Sequence, residues 1–177
     1  MPELLYSACK ASVYLTLSQF FNLSETKFKW CRVFYLFGEN EKPQRLYPLI
    51  IDKLKKDEVI NLGEGKQIRD YLYVEDVAEL YMTISKEVFE NPLKMKGEIF
   101  NAGTNKGYSV KEILSLIFST CNNFKDLEVV IKKMKNKKTT GEITMQIMDH
   151  KKVNKYTGWK PKHTLSEGIE KTILWFK

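Results

Sequence analysis

Segments with a strand pattern and segments with a helix pattern alternate along this chain of 177 residues. β-branched and aromatic runs predict strands at 28–37, 59–62, 70–74, 98–102 and 127–131. Amphipathic patterns predict helices at 5–21, 43–56, 75–89 and 109–120, a short helix from Asp149 to Gly158, and a last helix from Thr164 to the end of the chain. Such an alternation predicts an α/β fold with a mostly parallel sheet.

Local helix signals support this order. Ser109 is followed three residues later by Glu112, and Thr164 by Glu167, so each pair predicts a capping box at the start of a helix. Asp76 is expected to be a charge that favours the N-terminal end of its helix dipole.

The charge balance indicates a solvated surface rather than a nucleic-acid partner. Lys and Arg number 29 against 22 Asp and Glu, a net charge of +7, but only three of the basic residues are arginines. Nucleic-acid sites usually recruit arginine, so the lysine run 132–138 is expected to be a solvated loop, with phosphate contact as the less favoured alternative.

The same composition predicts a location and excludes some sites. No apolar run is long enough to span a membrane and no signal peptide is recognisable, so we expect a cytoplasmic protein without a membrane partner. Three separated cysteines without a CxxC pair fit a reducing compartment, and two histidines make a histidine-based metal site an unfavoured hypothesis.

The spacing Tyr6-x-x-x-Lys10 places a phenol and an ammonium on one face of the first predicted helix. A nearby ammonium favours the phenolate form, which suits moving a proton to or from a sugar hydroxyl. On its own such a spacing is more often a surface pair than a catalytic pair, so the motif leaves both alternatives open.

Several motifs that follow Tyr6 and Lys10 narrow these alternatives. They are Arg32–Glu39 (RVFYLFGE), Gly65–Ala78 (GKQIRDYLYVEDVA), Phe100–Thr104 (FNAGT) and Gly158–Pro161 (GWKP). In this order and spacing they resemble the C-terminal half of the NAD-dependent epimerase/dehydratase family, the extended short-chain dehydrogenases/reductases that act on nucleotide sugars. RDYLYVEDVA is the most specific part of the resemblance.

The resemblance implies the C-terminal part of a Rossmann-like doubly wound sheet plus a small substrate-binding lobe. Residues 1–177 would form one partial domain, in which 1–38 and 70–104 are the remainder of the NAD-binding part and 39–69 and 105–177 are mainly the nucleotide-sugar lobe. The Gly-rich cofactor half is expected to be absent, because the nearest candidate is Gly63-Glu64-Gly65, with Ile68 where a third glycine would stand.

The resemblance also implies residue roles. Tyr6 would be the catalytic acid/base, and Lys10 would bind the nicotinamide ribose and support Tyr6. The backbone around Val33 would face the nicotinamide amide. Arg69 would grip the nucleotide diphosphate with help from Gln67, and Tyr35, which stands where the family usually has Asn, would contact the substrate.

These roles give three functional hypotheses. The first is the C-terminal part of an NAD- or NADP-dependent nucleotide-sugar epimerase, dehydratase or reductase that homodimerises when complete. Either the gene is truncated or a separate chain supplies the front half. The isolated chain would then bind no dinucleotide and be inactive. The second is a catalytically inactive remnant that serves as a binding or dimerisation module. The third and least favoured is a basic nucleic-acid-binding domain.

Overall fold

A computed structural model describes residues 5–58, 60, 65–121 and 143–176. The predicted strand 127–131, the lysine run 132–138, and all of the predicted strand 59–62 except Ile60 lie outside the described residues, as do Gly63 and Glu64. The helices are α1 (Leu5–Asn22), α2 (Leu46–Lys55), α3 (Val74–Glu90), α4 (Pro92–Met95), α5 (Val110–Thr120), α6 (Lys151–Thr157) and α7 (Leu165–Trp175). The strands are β1 (Trp30–Val33), β2 (Tyr35–Phe37), β3 (Ile68–Arg69), β4 (Tyr71–Tyr73), β5 (Ile99–Ala102), β6 (Tyr108–Ser109) and β7 (Met145–Gln146).

Parallel pairing dominates the strands, as the α/β prediction requires. β1 pairs in parallel with β5, from Trp30 opposite Ile99 to Val33 opposite Ala102. β2 pairs in parallel with β4. β3 lies between β6, its antiparallel neighbour, and β7, its parallel neighbour. Helices α3, α5 and α7 lie between or beside these strands and bury their apolar faces, which gives the mixed α/β architecture.

One predicted strand is divided by a single residue, and another is preceded by a short strand that the sequence did not predict. The run 28–37 is not one strand, because Phe34 separates β1 from β2 and the chain exchanges β5 for β4 as its partner. The Phe34 N–H donates to the carbonyl oxygen of Ala102 at 3.1 Å, so the backbone stays bonded at the break. The predicted strand 70–74 is observed as β4, and Asp70 separates it from the short strand β3, which was not predicted. A single-residue break leaves no mark on an apolar pattern, which is why the sequence predicted one continuous strand over 28–37.

The helix starts follow their capping signals. Both predicted capping boxes are present, with the side chains of Ser109 and Thr164 accepting from the N–H groups of Glu112 and Glu167. The helix predicted from Pro43 begins later, at Leu46. Gly158, the expected helix end, takes the left-handed conformation that stops α6.

The carboxylate of Asp70 holds the break between β3 and β4 in place. It is fully buried and accepts hydrogen bonds from the N–H groups of Thr104, Asn105 and Met148 at 2.8 to 3.1 Å, and from the Thr104 hydroxyl at 2.6 Å. A Cβ at Gly103 would lie 2.7 Å from the Asp70 Oδ2, so only glycine lets this loop approach so closely. One side chain therefore binds the loop after β5 and the segment after β7.

Asp76 does more than favour the helix dipole. It is 1% exposed, and its carboxylate accepts from the backbone N–H groups of Lys162 and His163 while the ring Nδ1 of His163 lies 2.9 Å from its Oδ1. The indole N–H of Trp159 donates to the Asp76 carbonyl oxygen. The start of α3 thereby fixes the segment that leads into α7.

Two apolar clusters form the core. One joins α2, α5 and α7 to β2 and β4, and its fully buried members include Tyr47, Ile50, Ile113, Leu114, Ile117 and Ile169. The other joins α3 and α6 to β4 and β5 through Leu72, Leu80, Phe100, Val153 and Trp159. β4 contributes to both, because successive strand residues face opposite sides.

Helix α1 differs from the other long helices because none of its residues is buried. Leu5, Leu15 and Phe20 are each at least 60% exposed. Aromatic contacts join α1 to the segment that follows it. The ring centroids of Tyr14 and Trp30 lie 5.4 Å apart, and those of Phe21 and Phe28 lie 5.0 Å apart. The side chains of α1 are therefore half-buried or exposed. Among the described residues, no helix is long and apolar enough to cross a membrane.

Asp70→Ala should lower the free energy of unfolding by about 3 kcal/mol, because it leaves three backbone N–H groups and a hydroxyl without the buried carboxylate that accepts from them. Asp52→Ala is the matched control, since Asp52 is half-exposed and pairs with Lys56 one helical turn away. Its loss should be below about 0.5 kcal/mol. Urea unfolding measures both, and equal losses would contradict the anchoring role of Asp70.

Candidate functional site

A cleft of about 300 Å³ opens where β2, β3 and β4 face the start of α2. We call it the Arg69 cleft. Three of the residues assigned to substrate binding from the sequence, Tyr35, Gln67 and Arg69, line it together. The rest of its wall is formed by Leu36, Glu41, Gln44, Arg45, Leu46, Tyr47, Tyr71 and Val110.

The guanidinium of Arg69 is held within the wall of the cleft. Arg69 is 8% exposed and belongs to β3, the central strand of its small sheet. Its Nη1 donates to the carbonyl oxygen of Ile68 at 2.9 Å and reaches that of Thr144 at 3.5 Å. Its Cζ lies 5.5 Å from the ring centre of Tyr35. A cation held against an aromatic ring in this way has little freedom to move.

Tyr35 links the cleft to β7. Its hydroxyl donates to the Oε1 of Gln146 at 2.7 Å, and its ring packs against that of Tyr71 with centroids 5.9 Å apart. β7 was not expected from the sequence, since its two residues carry no strand pattern of their own and pair with β3. Gln146 is thus a supporting residue that sequence reasoning missed.

An acid and a base face each other on another part of the wall. The Arg45 Nε lies 3.4 Å from the Glu41 Oε1, and the side chains are 60% and 12% exposed. Burial raises the pKa of Glu41 to about 7, although the charge and the hydrogen bond of Arg45 lower it in part. Glu41 was not selected from the sequence, although its four-residue spacing from Arg45 was a visible signal.

Tyrosines complete the floor of the cleft. Tyr47 is 1% exposed and stacks on Phe37 with ring centroids 4.4 Å apart. Burial raises the pKa of Tyr47 well above its ordinary value and that of Tyr71 to about 12, so both phenols are neutral at physiological pH. The cleft therefore presents cations, neutral hydroxyls and one carboxyl of variable charge.

The predicted catalytic pair lies elsewhere. Tyr6 and Lys10 are both exposed on α1, with the Lys10 Nζ 5.7 Å from the ring centre of Tyr6, and neither lines the Arg69 cleft. Val33 is half-buried at the end of β1, opposite Ala102. The structure thus brings the three substrate residues together but not the six candidate residues as one site.

A turn that binds the pyrophosphate of a dinucleotide needs glycines with open space beside them, and two glycines, Gly103 and Gly107, follow β5. A Cβ at Gly103 would lie 2.6 Å from Met148, and one at Gly107 would lie 2.5 Å from Ile68. Their space is filled by side chains, so this turn does not fit a pyrophosphate. The phenol of Tyr6 and the ammonium of Lys10 are both groups that can form hydrogen bonds with ribose hydroxyls.

Among the described residues, no cluster of His, Cys, Asp and Glu could hold a metal ion. Burial raises the pKa of the half-buried Cys31 to about 11, so this thiol is protonated and unreactive at neutral pH.

Comparisons with known proteins agree with this architecture. The family model described as "NAD dependent epimerase/dehydratase family" matches residues 2–103, more than half of the chain. The dTDP-glucose 4,6-dehydratase of Escherichia coli is 30% identical over 146 residues, which are 79% of this chain and 38% of that protein. The human dTDP-D-glucose 4,6-dehydratase is 29% identical over 177 residues, 97% of this chain and 48% of that protein.

Solved structures share the fold. A UDP-glucose 4-epimerase from Thermotoga maritima, solved with UDP-glucose, has a TM-score of 0.80 at 24% identity over 97% of this chain and 52% of its own. A dTDP-glucose 4,6-dehydratase from Bacillus anthracis, solved with NAD, has a TM-score of 0.80 at 22% identity over 99% of this chain and 53% of its own. The chain therefore spans about half the length of the proteins it matches, or less.

The raised pKa of Glu41 makes stability depend on pH. In the unfolded chain the carboxyl ionises near pH 4.5 and in the folded chain near pH 7, so the folded state holds the extra proton between these values. The stability of the wild type relative to Glu41→Gln should therefore fall as pH rises from about 4.5 to about 7, by at most about 3 kcal/mol. Urea unfolding at pH 4 and pH 8 measures the change.

Glu90→Gln is the control for this comparison, because Glu90 is exposed at the end of α3 and pairs only loosely with Lys86 at 3.9 Å. A difference between wild type and Glu41→Gln that stays constant with pH would contradict the burial of Glu41.

Proposed function

Because the chain belongs to the NAD dependent epimerase/dehydratase family, we propose that it is the nucleotide-sugar-binding half of an epimerase, dehydratase or reductase that uses NAD or NADP. The observation that carries this proposal is the Arg69 cleft, where Tyr35, Gln67 and Arg69 meet. The relatives it matches include dehydratases named for dTDP-glucose and a putative UDP-glucose 4-epimerase from Methanocaldococcus jannaschii.

Arg69 is the residue that would bind the diphosphate. A guanidinium presents N–H groups in a planar fork, and a diphosphate presents two anionic groups that can accept parallel hydrogen bonds. The packing of Arg69 against Tyr35 orients the fork before a ligand arrives, which lowers the entropy lost on binding. Arg45 adds a second positive charge to the same cleft.

Tyr6 would take a proton from a sugar hydroxyl, and Lys10 would hold the nicotinamide ribose beside it. NAD or NADP supplies the hydride acceptor when it is bound. Both side chains are exposed on α1, so the surface of that helix is where a sugar and a cofactor would meet. The backbone at Val33 would border the nicotinamide.

A complete enzyme would need a cofactor-binding half. The chain spans 38 to 48% of the dehydratases it matches, and α1 leaves Leu5, Leu15 and Phe20 exposed. A separate chain that carries the Gly-rich half, together with homodimerisation, would cover such a surface. A cytoplasmic location belongs to the same proposal.

A binding or dimerisation module without catalysis is the second candidate. The observation in its favour is that Tyr6 is 73% exposed and lies outside the Arg69 cleft, so a ligand confined to that cleft would not touch the expected acid/base. The two candidates agree on ligand binding and differ only on turnover.

Arg69→Ala should weaken the binding of a nucleoside diphosphate by about 10- to 100-fold, because each charge-assisted hydrogen bond contributes roughly 1.5 to 3 kcal/mol. Arg69→Lys should recover part of the loss, since an ammonium cannot bind as a fork. Calorimetric titration of the 177-residue chain with UDP, dTDP, GDP and CDP measures both variants.

Arg32→Ala is the matched control, because Arg32 is exposed on β1 and does not line the cleft. Binding by none of the four diphosphates, or equal binding by wild type and Arg69→Ala, would contradict the proposed function.

Tyr6→Phe should lower turnover about 10²- to 10⁴-fold in a complex reconstituted with a complementing cofactor-binding half, and leave nucleotide-sugar affinity nearly unchanged. Tyr14→Phe on the same helix is the control, and its turnover should equal that of the wild type. Turnover by Tyr6→Phe at the wild-type rate would exclude the acid/base role. A wild-type complex without any turnover would favour the binding module.

A further inference from the structure

We propose that Glu41 couples the binding of an anionic ligand in the Arg69 cleft to the uptake of one proton, so that the cleft accepts the anion with Glu41 as a neutral carboxylic acid. This rests on the proposed function of the cleft as a diphosphate site. The proton comes from solvent and forms the O–H bond of the Glu41 carboxyl, and no other bond changes. The protonation state of Glu41 thereby sets the affinity of the cleft for an anion at a given pH.

The position of the carboxyl is the first argument. Glu41 lines the same cleft as Arg69, and its side chain is only 12% exposed. Its Oε1 faces Arg45, whereas its Oε2 is buried and has no hydrogen-bond partner among the described residues. A buried carboxylate oxygen without a donor is costly, and adding a proton removes that cost.

The surroundings of Glu41 are the second argument. Arg45, which precedes α2, lies closest to it as a cation, and that side chain is 60% exposed to solvent, which weakens the attraction. Tyr47 from α2 and Tyr71 from β4 face it with neutral phenols that cannot balance a negative charge. Arg69 from β3 lines the cleft but is bonded to backbone carbonyl oxygens.

Two further ionisable residues near Glu41, Glu39 and Lys42, do not balance its negative charge. Glu39 is bonded to the hydroxyl of Tyr73. Lys42 is exposed and lines, with Glu41 and Arg45, a smaller adjoining cavity of about 260 Å³. The pKa of Glu41 is accordingly raised to about 7 by burial, and both of its charge states are populated at neutral pH.

An anion in the cleft must select between these two states. A diphosphate carries two negative charges, and repulsion between like charges is stronger in a partly desolvated cleft than in water. The complex therefore favours the neutral acid, and its formation above pH 7 takes up a proton. Ionised Glu41 would also compete with the ligand for Arg45, whereas neutral Glu41 leaves that guanidinium to the anion.

The test uses ligands that do not titrate. UDP-glucose and dTDP-glucose carry diphosphate diesters, which have no proton that ionises near neutral pH, so the ligand charge stays constant between about pH 6 and pH 8.5. The dissociation constant of the 177-residue chain should be nearly constant below pH 7 and rise about tenfold per pH unit above it. Calorimetry at pH 8 in two buffers of different ionisation enthalpy should give an uptake close to one proton.

Variants assign the proton to Glu41. Glu41→Gln should bind with a pH-independent dissociation constant close to the wild-type value at pH 6, and with no proton uptake. Glu90→Gln, the exposed control on α3, should keep the wild-type pH dependence. If Glu41→Gln does not fold, the proton uptake of the wild type at pH 8 decides alone.

The outcomes separate this proposal from the function it rests on. Binding that is lost in Arg69→Ala but shows no proton uptake overturns the role of Glu41 and leaves the diphosphate site intact. A pH dependence that persists in Glu41→Gln also overturns it. Binding of neither sugar nucleotide at any pH overturns both proposals.

Discussion

The buried carboxylate of Asp70 is the interaction on which the rest of the site depends. It stands between β3 and β4 and accepts from backbone N–H groups of Thr104 and Met148, in segments that lie 34 and 78 residues further along the chain. Because a buried carboxylate without donors is strongly unfavourable, these segments and the strand break form together. Arg69 and Tyr71 flank Asp70 on either side, so the same anchor fixes the position of the cleft residues.

This arrangement explains how a two-residue strand can position a guanidinium. β3 is too short to be stable alone, yet it is bonded on one side to β6 and on the other to β7. Tyr35 adds a side-chain bond from β2 to Gln146 in β7. Three separate parts of the chain thus meet around Arg69, and the rigidity of the cleft comes from long-range contacts.

Because the cleft depends on long-range contacts, only part of it could be predicted from the sequence. Local signals were sufficient for the capping boxes at Ser109 and Thr164, because a capping box is made within four residues. The breaks at Phe34 and Asp70 depend on Ala102 and on the loop after β5, which no local pattern reveals. β7 has strand geometry only through its pairing with β3.

The residues of the cleft differ in the same way, because some carry a local sequence signal and others act only through long-range contacts. Tyr35, Gln67 and Arg69 could be selected because they stand in motifs, and the structure brings them together. Glu41 was missed because its chemistry follows from burial, and burial of a charged side chain cannot be read from composition. Gln146 was missed because its side chain acts by accepting a hydrogen bond from Tyr35, which lies 111 residues earlier in the chain.

The separation between α1 and the cleft has a physical consequence for how such a chain could work. The proposed ligand binding would need only groups positioned by Asp70 and the strands around it, and β4 and its neighbours pack into the apolar clusters of this chain. The proposed proton transfer would need Tyr6 and Lys10 in a desolvated setting, and the exposed surface of α1 cannot exclude water by itself. Binding and chemistry therefore differ in what they require: the first depends on contacts within this chain, and the second on whatever covers the apolar side chains of α1.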